Sequence, residues 1–176
     1  MTFQITGLAA ETFAHLPSLT EAELAVHNIQ KIVADVSPGF PCRVSLQDAA
    51  IGETLYLLNH TYHDEATPYR GSHAIFVREG AAEYVPAKGE VPEVLARRLI
   101  SIRGFNAAHD MVAADVVKGA GLGAAIPSML ASEGVAYLHL HNAKPGCFAA
   151  RVDPDKVISG FHYGSGHPNC DRISDS

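Results

Sequence analysis

Residues 135–152 read Val135-Ala136-Tyr137-Leu138-His139-Leu140-His141-Asn142-Ala143-Lys144-Pro145-Gly146-Cys147-Phe148-Ala149-Ala150-Arg151-Val152. Two short apolar runs, Val135 to His141 and Cys147 to Val152, flank the Pro-Gly loop Asn142 to Gly146, a pattern that predicts a β-hairpin. Alternation along the first strand sends His139 and His141 off one face while Leu138 and Leu140 turn to the core. If the loop is Asn142 to Gly146, antiparallel pairing sets His141 opposite Cys147 and His139 opposite Ala149, with facing Cβ atoms about 5 Å apart.

Outward from the hairpin the chain breaks into short elements. Phe3 to Leu8, Ile29 to Val36, Arg43 to Leu46, Glu53 to Asn59, Ser72 to Arg78, Leu99 to Arg103 and Met111 to Val117 read as strands, by β-branched content or by alternation. Thr20 and Glu23 form a capping box that starts a helix at Glu21. Pro92 at a first helical position opens a second helix, Glu93 to Leu99. Gly119 to Ser132 is a third helical stretch, in which Pro127 either kinks the helix or marks its true start. Ser37-Pro38-Gly39-Phe40-Pro41 is a loop, and His60 to Arg70 is a polar loop long enough to invite a functional reading. From Asp153 onward Gly, Ser, Asp and Pro dominate, which predicts a mobile tail over 153–176. Seven or eight strands and about three short helices, not in strict alternation, predict a single α+β domain over 1–152 with a largely antiparallel sheet.

Composition narrows the function classes. The chain has 176 residues, 47% hydrophobic and 18% charged, enough for one sizeable core and inconsistent with global disorder. Thirteen Lys plus Arg against nineteen Asp plus Glu give a net charge of -6, the wrong sign for a nucleic-acid backbone binder. No apolar run approaches the roughly eighteen residues a transmembrane helix needs, so no membrane partner is expected. Met1 to Ala10 lacks the basic and apolar regions of a signal peptide, and the expected address is the cytoplasm. Three cysteines, Cys42, Cys147 and Cys170, are too few for a disulfide scaffold, leaving metal binding, reactivity or packing as their uses.

Three segments carry a resemblance: Phe40-Pro41-Cys42-Arg43-Val44-Ser45-Leu46, then Thr67-Pro68-Tyr69-Arg70-Gly71-Ser72-His73-Ala74-Ile75-Phe76-Val77-Arg78, then Tyr137 to Ala143 running into Gly146 to Arg151. They are similar to a family of bacterial proteins known as domain of unknown function 1203, over about residues 1–153. The resemblance implies no activity, cofactor or catalytic residue, so the chemistry is read from the residues themselves.

On the expected hairpin, His139, His141 and Cys147 converge, an imidazole and thiolate set that suits Zn, Fe or Cu. A fourth ligand would come from His73, Cys42, His60 or His63; three ligands with an open position read as catalytic, four as structural. The same groups support metal-free chemistry, with Cys147 or Cys42 as nucleophile and a histidine as its base. They are also compatible with a half-exposed sheet in which both histidines hydrogen-bond to neighbours and Cys147 fills space.

The arginines add a second pointer. Arg43, Arg70, Arg78 and Arg103 lie at strand ends or beside these segments, where forked donors hold a carboxylate or phosphate unless a nearby acid pairs with them. Arg70 stands out because Tyr69 offers a hydroxyl, Gly71 allows close backbone approach, and His73 is a side chain able to serve as acid or base. Gly119-Ala120-Gly121-Leu122-Gly123 lacks the spacing of a phosphate-binding loop. Gly164 to Cys170 offers at most a stray ligand pair. The expected function is therefore small-molecule enzymology on an anionic substrate, with His73, Arg70 and Cys147 catalytic and Arg43, Tyr69, Arg78 and Asn142 binding substrate. A transition metal on His139, His141 and Cys147 is the expected cofactor. A metal-free Cys-His enzyme and a non-catalytic binding module remain the alternatives, and a homo-oligomer stays open.

Overall fold

The computed structural model describes residues 2–155. Strands β1 (Phe3–Thr6), β5 (Leu99–Phe105), β6 (Met111–Lys118), β7 (Tyr137–Asn142) and β8 (Phe148–Pro154) form a five-stranded sheet in the order β1-β8-β7-β5-β6. Strands β2 (Gln30–Val33), β3 (Thr54–His63) and β4 (Gly71–Arg78) form a three-stranded sheet in the order β2-β3-β4. Every pair within the two sheets is antiparallel. With the short helices α1 (Glu21–Val26), α2 (Glu93–Ala96) and α3 (Leu122–Leu130), this is the α+β architecture that the strand count predicts. No helix among the described residues is long and apolar enough to cross a membrane.

One face of the larger sheet makes the main core. Ile100 and Ile102 of β5, Leu138 and Leu140 of β7, and Val152 of β8 pack against Val94 and Leu95 of α2 and Leu122, Ile126 and Leu130 of α3. The approach of α2 to the turn before α3 depends on Gly119, where an added Cβ would stand 1.9 Å from the Leu95 carbonyl oxygen. Pro127 lies inside α3, which starts at Leu122 and continues to Leu130. A second cluster, including Phe13, Leu16, Leu24, Cys42, Tyr56, Ile75 and Val77, sits between the small sheet and the N-terminal turns. The capping box at α1 forms as expected: the Glu23 amide donates to Thr20 Oγ1 at 3.3 Å and the Thr20 amide to Glu23 Oε2 at 2.8 Å.

The other face of the larger sheet is covered by the tip of β3. That strand runs four residues past its expected end at Asn59, because His60 and Thr61 pair with His73 and Ser72 of β4 and His63 with Gly71. The pairing is interrupted at Tyr62, which bulges over the larger sheet, its ring 5.2 Å from that of Phe148 and stacked at 9°. Gly71 makes room for that ring, since a Cβ there would lie 2.5 Å from the Tyr62 hydroxyl. The polar loop is thus shorter than the sequence implies.

Further expectations are corrected. Residues 43–46 are not a strand: Cys42 makes an isolated bridge to Phe76, and the chain then turns back so that the Cys42 amide donates to the Gln47 carbonyl at 2.9 Å. The helix at α2 stops at Ala96 and the strand at β2 is confined to Gln30–Val33. Strand β8 extends through Pro154, beyond the expected end of the domain, by pairing with Phe3 and Gln4 of β1. The expected tail beyond Asp155, with Gly164 to Cys170, lies outside the described residues.

Candidate functional site

The hairpin register decides which groups meet. His139 faces Arg151 and Leu140 faces Ala150, but His141 faces Phe148, so the register slips by one residue at Ala149. The expected pairs, His141 with Cys147 and His139 with Ala149, do not form. The cause lies in the loop, where the Asn142 amide donates to the Cys147 carbonyl at 2.9 Å and the Gly146 amide to the Asn142 carbonyl at 2.8 Å, with Gly146 at φ 79°. Phe148 thereby joins the histidine face beneath Tyr62, and the Cys147 thiol turns to Asn142 and Arg43. No group of three His, Cys, Asp or Glu side chains among the described residues is placed to hold one metal ion.

On the thiol's side lies a cavity of about 390 Å³, bounded by Arg43, His73, Arg98, Asn142, Lys144 and Cys147, with Leu57, Phe76 and Leu99 among its apolar walls. Arg43 is almost wholly buried, at 2% exposure. Its Nε donates to the Phe148 carbonyl at 2.5 Å, Nη1 to the Pro41 carbonyl, and Nη2 to Cys147 Sγ at 3.0 Å. Asn142 Nδ2 supplies a second donor to the same sulfur at 3.4 Å, while Asn142 Oδ1 is buried without a partner. No carboxylate pairs with Arg43 or Lys144 among the described residues. Burial holds the Arg43 guanidinium below the usual arginine range, against the opposing pull of Cys147. Arg98 is neutralised by Asp48, with Nη2 2.5 Å from Oδ1 and Nη1 2.9 Å from Oδ2.

Behind the hairpin the histidines form a closed aromatic cluster. The His63 ring is centred 5.2 Å from His139 and 6.0 Å from His109, and His139 is 6.2 Å from His141. Burial pushes His139 down to about 3, helped by the neighbouring His141 and His63; burial likewise lowers His141 to about 4. Both rings are therefore neutral at ordinary pH. His141 Nδ1 lies 3.0 Å from the Gly146 carbonyl and must carry the proton, which leaves Nε2 a buried lone pair without a donor. His139 Nδ1 is likewise without a partner.

His63 Nδ1 meets the Tyr69 carbonyl at 3.1 Å, so His63 Nε2 accepts from the Tyr137 hydroxyl at 3.1 Å. His109 Nδ1 then donates to that hydroxyl at 2.9 Å, with Glu65 3.7 Å from His109 Nε2. Arg151 lies over the Tyr137 ring at 3.9 Å.

Of the residues singled out in the sequence, Arg43, His73, Asn142 and Cys147 share the cavity, and His139 and His141 stand in the cluster behind it. Arg70 and Tyr69 do neither: Arg70 is an exposed partner of Asp64 at 2.5 Å, and Tyr69 contributes its carbonyl to His63. Arg78 pairs with Glu53 at 2.9 Å, and Arg103 Nε donates to Ser101 Oγ at 3.5 Å. Cys42 is a core thiol that accepts the Arg78 amide at 3.3 Å. His60 packs edge-on against Phe13. Arg98 and Lys144 are cavity residues that strand patterning does not reveal; the cation in the Lys144-Pro145-Gly146 loop was the available signal.

The fold and cavity define an antiparallel α+β protein with a thiol held against a buried guanidinium. The chain belongs to the family described as protein of unknown function DUF1203, which matches residues 39–153, from the Arg43 turn through the hairpin. The comparisons found no match among curated proteins or solved structures.

Proposed function

We propose that the protein is a metal-free thiol enzyme acting on a small anionic molecule, with Cys147 as nucleophile. The observation that carries this reading is the environment of Cys147 Sγ, which receives one charged and one neutral N–H while the charged donor, Arg43, has no carboxylate among the described residues. A buried guanidinium left without a counter-charge costs several kcal/mol. Cys147 Sγ is the atom against which that guanidinium is set, and a cysteine sulfur beside an arginine is the kind of position nucleophilic thiols occupy. Lys144 at the mouth attracts the substrate's negative group, and His73, which also lines the cavity, exchanges protons with it. Metal chemistry on the hairpin needs Cys147 beside His139 and His141, and the Ala149 slip turns it away from them.

Alkylation by iodoacetamide at pH 7, mapped by mass spectrometry, tests this. Cys147 is expected to react well before Cys42, and Asn142→Ala and Arg43→Lys to slow it about tenfold or more, the loss of a charge-assisted contact. A slow Cys147, or a rate unchanged in both folded variants, overturns the proposal.

A further inference from the structure

Taking Cys147 as the nucleophile, we infer that the cavity reduces organic hydroperoxides that carry a carboxylate. Two features of the cavity select the reaction. First, both N–H donors near the sulfur are spent on the sulfur itself, and no imidazole or carboxylate hydrogen-bonds to it among the described residues. Acyl transfer would need donors aimed at a developing oxyanion and a base on the thiol. Displacement at a peroxide oxygen passes through no tetrahedral intermediate and asks only for a stabilised thiolate and a proton for the departing oxygen. Second, Leu57, Phe76 and Leu99 give the cavity apolar walls while Lys144 stands exposed at its mouth, an arrangement that suits an apolar body with an anionic end.

The step balances as follows. The Cys147 thiolate attacks the terminal oxygen of R–O–OH; the S–O bond forms and the O–O bond breaks. Sulfur is oxidised to the sulfenic acid Cys–S–OH, and the hydroperoxide is reduced to R–O⁻, which takes one proton, from His73 or water, to leave as R–OH. An external thiol returns the sulfenic acid; Cys42 is buried in a separate cluster. Two R′SH give Cys–SH, R′–S–S–R′ and water.

The test uses the full-length protein with dithiothreitol and three probes: linoleic acid hydroperoxide, its methyl ester, and hydrogen peroxide. Consumption of the acid is expected to exceed that of the ester about tenfold, the worth of one well-placed cation, and to exceed that of hydrogen peroxide by more. Lys144→Ala, at an exposed loop position, should bring the acid down to the ester's rate. Cys147→Ser should abolish all three, and dimedone should trap the sulfenic acid on the Cys147 peptide. If iodoacetamide labels Cys147 rapidly but no hydroperoxide is consumed above the Cys147→Ser level, this inference falls and the thiol enzyme stands. If Cys147 neither alkylates nor consumes peroxide, both fall. Equal rates with hydrogen peroxide and the organic probes overturn the role given to the apolar walls.

Discussion

Mild acid should weaken this protein well before its carboxylates titrate. The cause is the pair His139 and His141, buried on the covered face of the larger sheet and held neutral, with folded-state values of about 3 and about 4 against the ordinary 6.5. When the folded value lies below the unfolded one, the unfolded chain binds more protons between the two. Stability is therefore complete above pH 6.5 and is lost as pH falls through the window from 6.5 toward 3. At pH 5 each unfolded histidine has gained a proton that its folded counterpart refuses, worth roughly 2 kcal/mol per residue and roughly 4 kcal/mol for both relative to pH 7.5. That is a large part of the 5–15 kcal/mol typical of a folded domain.

The Gly146 carbonyl, which accepts from His141, works against this loss without cancelling it, and the charged neighbours add to it. Arg103 and Arg151 oppose protonation of His139, and Arg103, His73 and Arg43 oppose that of His141, while Glu65 and Asp153 approach only His109, Tyr137 and Arg151. His60, also lowered by burial, adds in the same direction. Urea denaturation followed by circular dichroism at half-unit steps from pH 7.5 to 5 measures the effect as a fall in midpoint at constant slope. His139→Phe, which keeps a ring in the cluster and removes one titrating group, should remove about half of the pH dependence. A midpoint flat over that range, or a pH dependence of the midpoint unchanged in His139→Phe, refutes the reasoning.

Other outcomes follow from packing and pairing. Gly119→Ala forces a Cβ against three backbone carbonyls, those of Leu95, Ala96 and Arg98, and should cost at least about 3 kcal/mol, seen as a Tm lowered by roughly 10 °C. Asp48→Asn removes the counter-charge of Arg98, whose side chain is only 19% exposed, and should cost about 2–4 kcal/mol by denaturant titration. Arg70→Ala breaks an exposed pair with Asp64 and should change stability by less than about 0.5 kcal/mol and leave the alkylation rate of Cys147 unaltered.

Much of the architecture is local and therefore legible. The capping box at Thr20 and Glu23 and the alternation of Leu138 and Leu140 with His139 and His141 need only the spacing of a helix turn or a strand. The hairpin register is not local. A slip at Ala149 places Phe148 beneath Tyr62, a residue of another sheet, and no inspection of residues 135–152 announces that partner. The length of β3 was hidden in the same way, because His60 to His63 are polar by composition yet pair with β4. Arg43 looked like a strand end; burial of its guanidinium instead bends the chain so that the carbonyls of Pro41 and Phe148 can receive its donors. Arg43, His73, Asn142 and Cys147 are each visible as reactive or polar types in the sequence, but the side of the hairpin they share follows from the slip.

The most direct test of a nucleophilic Cys147 in a cation-lined cavity compares an anionic with a neutral alkylating agent. The ratio of iodoacetate to iodoacetamide rates at Cys147 should be at least about tenfold higher in the folded protein than at the same cysteine in urea, and should fall in Lys144→Ala. A ratio equal in folded and unfolded protein, with Cys147 no faster than Cys42, would contradict the assignment.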